Sequence, residues 1–253
     1  KLILTATRLI SNEDITLETI ADQTYTGSAI TPEPEVKDGT EPLVKDTDYT
    51  LSYAANTNVG TATVTVTGAG IYSGSKQVTF TIIPKPISDN EITVAPLSPV
   101  IYTGTAFTPE PEVKRGDVIL EKDRDYTLSY DANTNVGTAS VTITGTGNYK
   151  ETRTVNFEIT KADPVIIWPA SASLTYGQSL FEATVSGESG DGSFAFRDGA
   201  VKPAVSNSEV TNYVLVFTPS DNHNFKSVEK DDMKVKVAKA RLTVTARTLS
   251  MVY

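Results

Sequence analysis

Apolar and polar residues alternate most regularly in residues 48–68, which read DYTLSYAANTNVGTATVTVTG. Tyr49, Leu51 and Tyr53 alternate with polar side chains in the first half, and alanine and valine alternate with threonine across residues 61–67. A period of two in β-branched and aromatic residues is typical of a half-buried strand. The ANTNVG segment between the two halves is rich in asparagine and glycine, which suit a turn. The pattern therefore predicts a β-hairpin.

The same pattern returns at residues 125–145 as DYTLSYDANTNVGTASVTITG, 77 positions later and without a gap. A repeat this faithful indicates an array of modules. Each copy follows a YTG and a TPEPEV segment and precedes a further strand pattern, KQVTFTII at 76–83 and TVNFEI at 154–159. Because proline cannot donate to a central ladder, TPEPEV is expected to be extended and outside it.

The repeat spacing predicts three full modules and two partial ones. Their predicted limits are residues 1–9 for the last strand of a preceding truncated module, 10–86 for repeat 1, 87–162 for repeat 2, 163–240 for a divergent repeat 3 and 241–253 for the start of a truncated fourth module. The junctions PKP and KADP predict short, stiff connectors, because proline restricts the backbone. We expect a fragment of a longer polypeptide.

Short strand patterns separated by Gly, Pro and Asn turns fill the sequence, and helical periodicity is absent. About seven strands per repeat predict immunoglobulin-like β-sandwiches, so the expected fold class is all-β with tandem Ig-like modules. In repeat 3, NYVLVF at residues 212–217 is apolar on both faces, which predicts a buried interior strand. Modules stacked end to end would form an elongated rod, on the order of 100 Å long at about 3.3 Å per strand residue.

Composition and charge restrict the function. The chain has no cysteine, which removes disulfides, zinc–thiolate sites and thiol nucleophiles. Its net charge is −9, and all three repeats are acidic, so binding to a phosphate backbone or an anionic membrane surface is disfavoured. No apolar run approaches the ~18 residues of a membrane span, and no signal-peptide pattern opens the chain. We expect no nucleic-acid partner and no membrane insertion.

Repeats 1 and 2 share YTGxxxxPxPxV, DYTLSYxxNTNVGTAxVTxTGxGxY and a closing VxFxI, and repeat 3 brings KAxPxIxWP, LTYGQSL and FTPSDNHNF. Together these motifs resemble bacterial immunoglobulin-like repeat modules of the MBG type, over essentially the whole chain. The resemblance implies an exported bacterial protein whose tandem modules serve as a stalk or adhesive arm. It implies no catalytic or ligand-binding motif. Repeats 1 and 2 have YTG where the family pattern has YG.

Nucleophilic catalysis finds little support in the sequence. His223 is the only histidine and lies in the polar segment PSDNHNF. It could serve a metal site or act as a general base, but a metal or catalytic site needs more than one such residue, and an ordinary loop position is the favoured interpretation. Repeats 1 and 2 contain no histidine, so a Ser-His-Asp triad is excluded there.

Paired acids recur before the hairpins, as Asp46 with Asp48 and Asp123 with Asp125. Two carboxylates at i and i+2 would share one face of a strand and could join a calcium site or act as a glycosidase pair. A turn-capping or solvated carboxylate is the ordinary role at a strand start. The Glu33-Pro34-Glu35 step has the same two interpretations.

Trp168, the single tryptophan, would suit either a sugar-stacking platform or packing on the core, which large aromatic residues favour. The hairpin threonines could accept glycans or pair with an edge strand of another chain, although a plain solvent face is their ordinary role. They are Thr61, Thr63, Thr65, Thr67, Thr138, Thr142 and Thr144. The tyrosines expected in the cores with the hydroxyl at the rim are Tyr53, Tyr72, Tyr130 and Tyr149.

These observations favour a non-enzymatic spacer or stalk segment of a bacterial cell-surface protein, extracellular and monomeric, with an adhesive role open. Its expected partners are the neighbouring modules of the same chain, with a glycan or a host surface protein as a further partner. We assign no catalytic, cofactor-binding or metal-binding residue and no cofactor. The alternative is a carbohydrate- or host-protein-binding module centred on repeat 3. An exposed Trp168 in a groove would favour that alternative, and a buried one would count against it.

Overall fold

A computed structural model describes residues 7–186, 190–205 and 210–245, without the side chains of 210–212. Within these ranges every regular element is a β-strand except one 3₁₀ turn, Leu180–Glu182. The strands build about three tandem β-sandwich modules. The predicted all-β, immunoglobulin-like fold class is confirmed.

Two compact units divide the chain, and the boundary between them runs through repeat 2. Unit 1 consists of Lys1–Leu97, Thr108–Asp131 and Ser140–Asn156, and unit 2 of Ser98–Phe107, Ala132–Ala139 and Phe157–Tyr253. Unit 1 thus holds repeat 1 with most of repeat 2, and unit 2 holds the rest of repeat 2 with repeat 3. The residue limits of the modules stay predictions.

Repeat 1 lies in unit 1 and has two facing sheets. Its strands are β1 (Arg8–Leu9), β2 (Ile15–Leu17), β3 (Gln23–Thr24), β4 (Val36–Asp38), β5 (Glu41–Pro42), β6 (Tyr49–Ala54), β7 (Gly60–Gly68), β8 (Tyr72–Ser73) and β9 (Ser75–Ile83). One sheet has the order β2-β4-β5 and the other the order β3-β9-β7-β6, and β1 pairs in parallel with β8.

The predicted hairpin of repeat 1 consists of β6 and β7, in an antiparallel register that begins with Tyr49 opposite Gly68. Ala62, Val64 and Val66 of β7 are fully buried, as their alternation predicts. Burying a valine side chain is worth about 1.5–3 kcal/mol. This face of the hairpin is therefore a main source of the stability of repeat 1.

The threonines of β7 occupy the other face of that strand. Residues 63–67 of β7 pair with β6 on one side and with β9 on the other. The hypothesis of edge-strand pairing with another chain is therefore wrong for Thr63, Thr65 and Thr67, and it stays a prediction for Thr61, which pairs with β9 alone. An interior strand has no free ladder to offer.

Repeat 2 follows the same order. Its strands are β10 (Lys85–Pro86), β11 (Ile92–Val94), β12 (Val100–Ile101), β13 (Val113–Arg115), β14 (Val118–Ile119), β15 (Tyr126–Asp131), β16 (Gly137–Gly145), β17 (Tyr149–Lys150) and β18 (Thr152–Thr160). In unit 1, β11-β13-β14 form a sheet, and the second predicted hairpin is confirmed by β15 and β16. In unit 2, β12 pairs in parallel with the end of β18.

The PKP connector is part of the repeat that follows it. Strand β10 pairs in parallel with β17, and Ile87 next to it is fully buried. The buried Lys85 forms ion pairs with Asp89 (3.4 Å) and Glu91 (2.9 Å). The connector is therefore held by backbone and side-chain bonds as well as by its prolines.

Strand β1 occupies the same place in repeat 1, because it pairs with β8 and precedes the fully buried Ile10. Residues 1–9 are predicted to end a preceding module, and that limit stays a prediction, while Arg8 and Leu9 pair with Tyr72 and Ser73 of repeat 1. Strand β1 pairs with a strand about 64 positions later in the same repeat. Aligning the repeats at an offset of 77 residues does not reveal such a pairing. Residues 1–6 lie outside the described part of the chain.

Repeat 3, in unit 2, diverges in detail and keeps one five-stranded sheet of order β20-β19-β23-β22-β21. Its strands are β19 (Ser171–Thr175), β20 (Thr184–Ser186), β21 (Gly192–Phe196), β22 (Val210–Pro219) and β23 (Val228–Ala238). Strand β22 carries NYVLVF and pairs on both sides, so the predicted interior strand is confirmed. Its Leu215 and Phe217 are fully buried.

Candidate functional site

The first contact of functional interest lies in unit 1, where repeat 2 meets the hairpin tip of repeat 1. The Val59 N–H, just before β7 begins, donates to Oδ1 of Asn148 at 2.9 Å. The Asn148 Nδ2 in turn donates to Oδ1 of Asn58 at 3.1 Å. One amide thus accepts from the backbone and donates to a side chain of the same tip. We call this contact and the aromatic pair beside it the first joint.

Local structure fixes Asn148 in place. It lies in a tight turn between β16 and β17, where Gly147 has φ +61° and the Tyr149 N–H donates to the Thr146 carbonyl at 3.0 Å. The Asn148 carbonyl accepts from the Lys85 N–H at 3.0 Å. The turn and the bond that its carbonyl accepts from the connector hold Asn148 with its side chain towards the tip of repeat 1.

An aromatic pair completes the first joint. Tyr25 of the YTG segment meets Tyr149 edge to face, with ring centroids 5.6 Å apart and an interplanar angle of 80°. Tyr149 is buried in the core of repeat 2, and Tyr25 packs against the cores of both repeats. Edge-to-face pairs are worth about 0.5–1.5 kcal/mol beyond their buried area. Tyr25 therefore links two hydrophobic cores.

Arg115 lies against the aromatic pair of the first joint. Its guanidinium carbon lies 5.3 Å from the centre of the Tyr25 ring, in cation–π range. It also packs against Gly27, where an added β-carbon would lie 1.8 Å from Nη2. Gly27 has φ +79°, which itself favours glycine. The turn therefore favours glycine in this YTG, and a larger residue would also displace the end of the arginine side chain.

The second joint lies in unit 2 and repeats the same chemistry between repeats 2 and 3. The Val136 N–H donates to Oδ1 of Asn224 at 2.9 Å, and the Asn224 Nδ2 donates to Oδ1 of Asn135 at 3.2 Å. Tyr102 meets Phe225 edge to face at 5.4 Å and 86°. Both joints therefore combine one asparagine with one aromatic pair.

Asn224 is also held by its own loop. Its Nδ2 donates to Oδ2 of Asp221 at 2.9 Å, and its backbone N–H donates to Oδ1 of Asp221 at 3.1 Å. The side-chain bond from Asn224 lowers the pKa of Asp221 below its usual value, because it stabilises the charged carboxylate. Asn224 is only 6% exposed, and its amide hydrogens both have acceptors. It is a fixed hydrogen-bonding group in the folded chain.

The joints bring together amides, backbone N–H groups and aromatic rings, which can bind and orient but supply neither a nucleophile nor a proton-transfer pair. Sequence analysis did not assign Asn148, Asn224, Tyr25 or Tyr102 to any role. The tip ANTNVG is identical in repeats 1 and 2, but the strands that flank it are nearly identical as well, so its identity alone does not indicate a contact.

The acid pairs do not share a strand face. Asp46 and Asp123 both have φ +67° and lie in the turn before the strand. Asp48 accepts from the Val44 N–H at 2.8 Å, and Asp125 accepts from the Glu121 N–H at 2.9 Å. The expected i, i+2 geometry is therefore wrong, because a left-handed residue breaks the alternation. The turn-capping interpretation accounts for Asp48 and Asp125.

The glutamates of the TPEPEV segments form surface ion pairs. Glu33 pairs with Lys45, and Glu110 pairs with Lys122 at the matching place. Each bond raises the pKa of its lysine. Glu35 pairs with Lys37 at 2.7 Å. Such exposed pairs are worth little and indicate no catalytic carboxylates.

Trp168 is half-buried and packs against the core of repeat 3. Its ring meets Phe194 edge to face at 5.6 Å, and the Lys230 ammonium lies 6.0 Å from its centre. Trp168 is thus packed on the core rather than fully exposed in a groove, which counts against the sugar-platform interpretation.

The remaining candidates lie at ordinary positions. His223 is exposed in a turn. Tyr53 and Tyr130 donate their hydroxyls to the carbonyls of Pro32 and Pro109, at 3.0 and 3.1 Å, as core tyrosines with polar rims do. Among the described residues, no three His, Cys, Asp or Glu side chains are grouped to hold a metal ion. No helix in the same set is long and apolar enough to cross a membrane.

No protein-family model and no curated protein matches the chain. Among solved structures, the chain is similar to a three-immunoglobulin-domain segment of titin, with 9% identity, a TM-score of 0.31 and coverage of 90% of this chain and 98% of that one. It is also similar to cadherin domains 1–4 of Drosophila N-cadherin (10% identity, TM-score 0.27, coverage 87% and 72%). A third match is to immunoglobulin domains 1–5 of Sidekick-1 (10% identity, TM-score 0.26, coverage 91% and 60%). All three are arrays of immunoglobulin or cadherin domains, and at TM-scores below 0.5 they carry no argument about function.

Proposed function

We propose that this chain is a non-catalytic spacer or stalk segment of an exported bacterial surface protein, built from modules of the MBG type. The observation that carries the proposal is the joint. The same asparagine-to-tip bond and the same edge-to-face pair occur at both junctions, within unit 1 and within unit 2. A chain that repeats a bonded connection is suited to holding its ends apart. The motif resemblance supports the bacterial, extracellular setting.

The test is a binding screen with a shape measurement. The purified chain would be probed against glycans and extracellular matrix proteins, once with calcium and once with chelator. We expect no binding in either condition and an elongated solution-scattering profile, as the stacking of modules predicts. A compact, near-spherical profile would overturn the spacer.

A second candidate function is ligand binding by repeat 3, because that repeat holds the only tryptophan and an aromatic cluster with Phe194 and Phe217. Trp168→Ala tests it, with Tyr176→Ala as the matched control, since Tyr176 is an exposed aromatic of the same repeat. A hit in the screen that is lost in Trp168→Ala and kept in Tyr176→Ala would replace the spacer by an adhesive module.

A further inference from the structure

The hairpin tip of repeat 1 depends on a partner outside the repeat. Val59 packs its side chain against the core of repeat 1, while its N–H donates to Asn148, 89 positions further on. A buried N–H without a partner costs about 1–3 kcal/mol, so once the next repeat covers this part-buried N–H, Asn148 supplies the acceptor that water can no longer provide. Val136 stands in the same relation to Asn224.

Asparagine suits this role because a single side chain carries both an acceptor and a donor. At each joint the oxygen accepts from a backbone N–H and the nitrogen donates to a tip asparagine. Aspartate would lack the donor, and an aliphatic residue would lack both groups. The tip Asn-x-Asn-Val and the asparagine of the following repeat are thus complementary surfaces.

Repeat 1 shows that the asparagine is not needed for the fold of its own module. The position that matches Asn148, 77 residues earlier, is Ile71, followed by Tyr72 as Asn148 is followed by Tyr149. The strand after it, β8, pairs with β1 as β17 pairs with β10. Ile71 is 58% exposed. The local turn therefore forms with either residue, and the amide serves the contact with the neighbouring repeat.

We infer that Asn148 and Asn224 are positioning residues that dock each repeat onto the Asn-x-Asn-Val tip of the repeat before it and thereby fix the relative orientation of the two repeats at each joint. The inference deepens the proposed spacer function and rests on it. It names the partner surface, which is the hairpin tip of the preceding module. The contact is also asymmetric: the later repeat contributes the asparagine, and the earlier repeat contributes the hairpin tip.

The decisive variant is Asn148→Ile, which installs the residue that repeat 1 carries at this place. Ile71→Asn is the matched control, because it makes the opposite exchange away from both joints. Amide hydrogen exchange of Val59 and Val136, followed by NMR in the full chain, reports each joint separately. We expect Asn148→Ile to speed exchange at Val59 by roughly 3- to 10-fold, the effect of one net hydrogen bond, and to leave Val136 unchanged. Asn224→Ile should speed exchange at Val136 and leave Val59 unchanged.

Distances between spin labels provide a second readout within unit 1. The chain has no cysteine, so single cysteines at the exposed positions Thr50 and Thr127 give unique labelling sites in repeats 1 and 2. We expect a narrow distance distribution in the parent chain and in Ile71→Asn, and a broader one in Asn148→Ile. Free exchange at Val59 in the parent chain, or unchanged exchange and distances in Asn148→Ile, would overturn the inference.

Different results would contradict the spacer function and the docking role. A ligand found in the binding screen would remove the spacer function while leaving the amide exchange result intact. Loss of the asparagine effect would remove the docking role while leaving a chain that binds nothing and is elongated.

Discussion

The two joints use the same residues in different surroundings. In the first, Asn148 is half-buried and bonded only to the tip through its side chain, while Arg115 lies over Tyr25 and against Gly27. In the second, Asn224 is buried and held by Asp221 before it reaches the tip. The first joint is thus reinforced on its aromatic side and the second on its amide side.

Comparing the two joints separates the groups that both contain from those that only one contains. The amide, the tip and the aromatic pair are common to both, even though repeat 3 has diverged around them. The arginine and the aspartate are each used once. The amide, the tip and the aromatic pair define the contact. Arg115 adjusts the strength of the aromatic contact in the first joint, and Asp221 adjusts that of the amide contact in the second.

The largest expected effect comes from the glycine that ends each tip. Gly60 and Gly137 both have φ +137°, and an added β-carbon meets no atom within 4 Å at either place. Gly60→Val and Gly137→Val should therefore cost about 1–3 kcal/mol of unfolding free energy through backbone strain alone. Urea denaturation measures the cost, and Thr61→Val is the control, since β-branched residues suit an exposed strand position.

Each glycine variant should also loosen only its own joint. Exchange at Val59 should rise in Gly60→Val, and exchange at Val136 should rise in Gly137→Val. Equal changes at both amides in either variant would contradict two independently formed joints.

The aromatic pairs should give a smaller and unequal effect. Tyr25→Leu removes the edge-to-face contact and the cation–π contact of Arg115, for a loss of about 1–2.5 kcal/mol. Tyr102→Leu removes only the edge-to-face contact with Phe225, for about 0.5–1.5 kcal/mol. Denaturant unfolding of the two variants would compare them. Equal losses would mean that Arg115 contributes nothing to the first joint.

The smallest expected effect is a pH dependence confined to the second joint. The pKa of Asp221 is lowered in the folded chain, so its stabilising bonds are fully present above the unfolded value of about 3.9 and are lost as pH falls through the lower folded value. As the pH falls below about 3.9, exchange at Val136 should rise relative to Val59, by less than about threefold. Asp221→Asn should abolish this dependence, and a parallel rise at both amides would assign it elsewhere.

The strands and the modules were predictable because their signals are local. Period-two alternation identifies β6, β7, β15 and β16, since each buried residue lies two positions from the next. The continuous apolar run of β22 identifies an interior strand, because both its faces are covered. Because the repeat has no gaps, the strands predicted in repeat 1 can be placed directly at the matching residues of repeat 2.

The joints were not predictable in the same way. Val59 and Asn148 are 89 positions apart, and nothing in the local pattern of either residue indicates the other. The acid pairs failed for a related reason. Their spacing suggests one strand face, but the left-handed backbone at Asp46 and Asp123 ends the alternation, and that conformation is set by the turn.

Every module is closed by a parallel pair between an early strand and its last one. The first paired residues are Gln23 with Ile82 in repeat 1, Val100 with Ile159 in repeat 2 and Ala172 with Val235 in repeat 3. If neighbouring modules are pulled apart, the two strands slide along each other, and their hydrogen bonds are stretched together instead of being broken one at a time. Repeats 1 and 2 each have two residue pairs in this ladder and two more in the parallel pairing of β1 with β8 or of β10 with β17, whereas repeat 3 has four pairs in one ladder. Under tension the three modules would therefore resist through the same number of parallel residue pairs, divided between two short ladders in repeats 1 and 2 and gathered in one ladder in repeat 3.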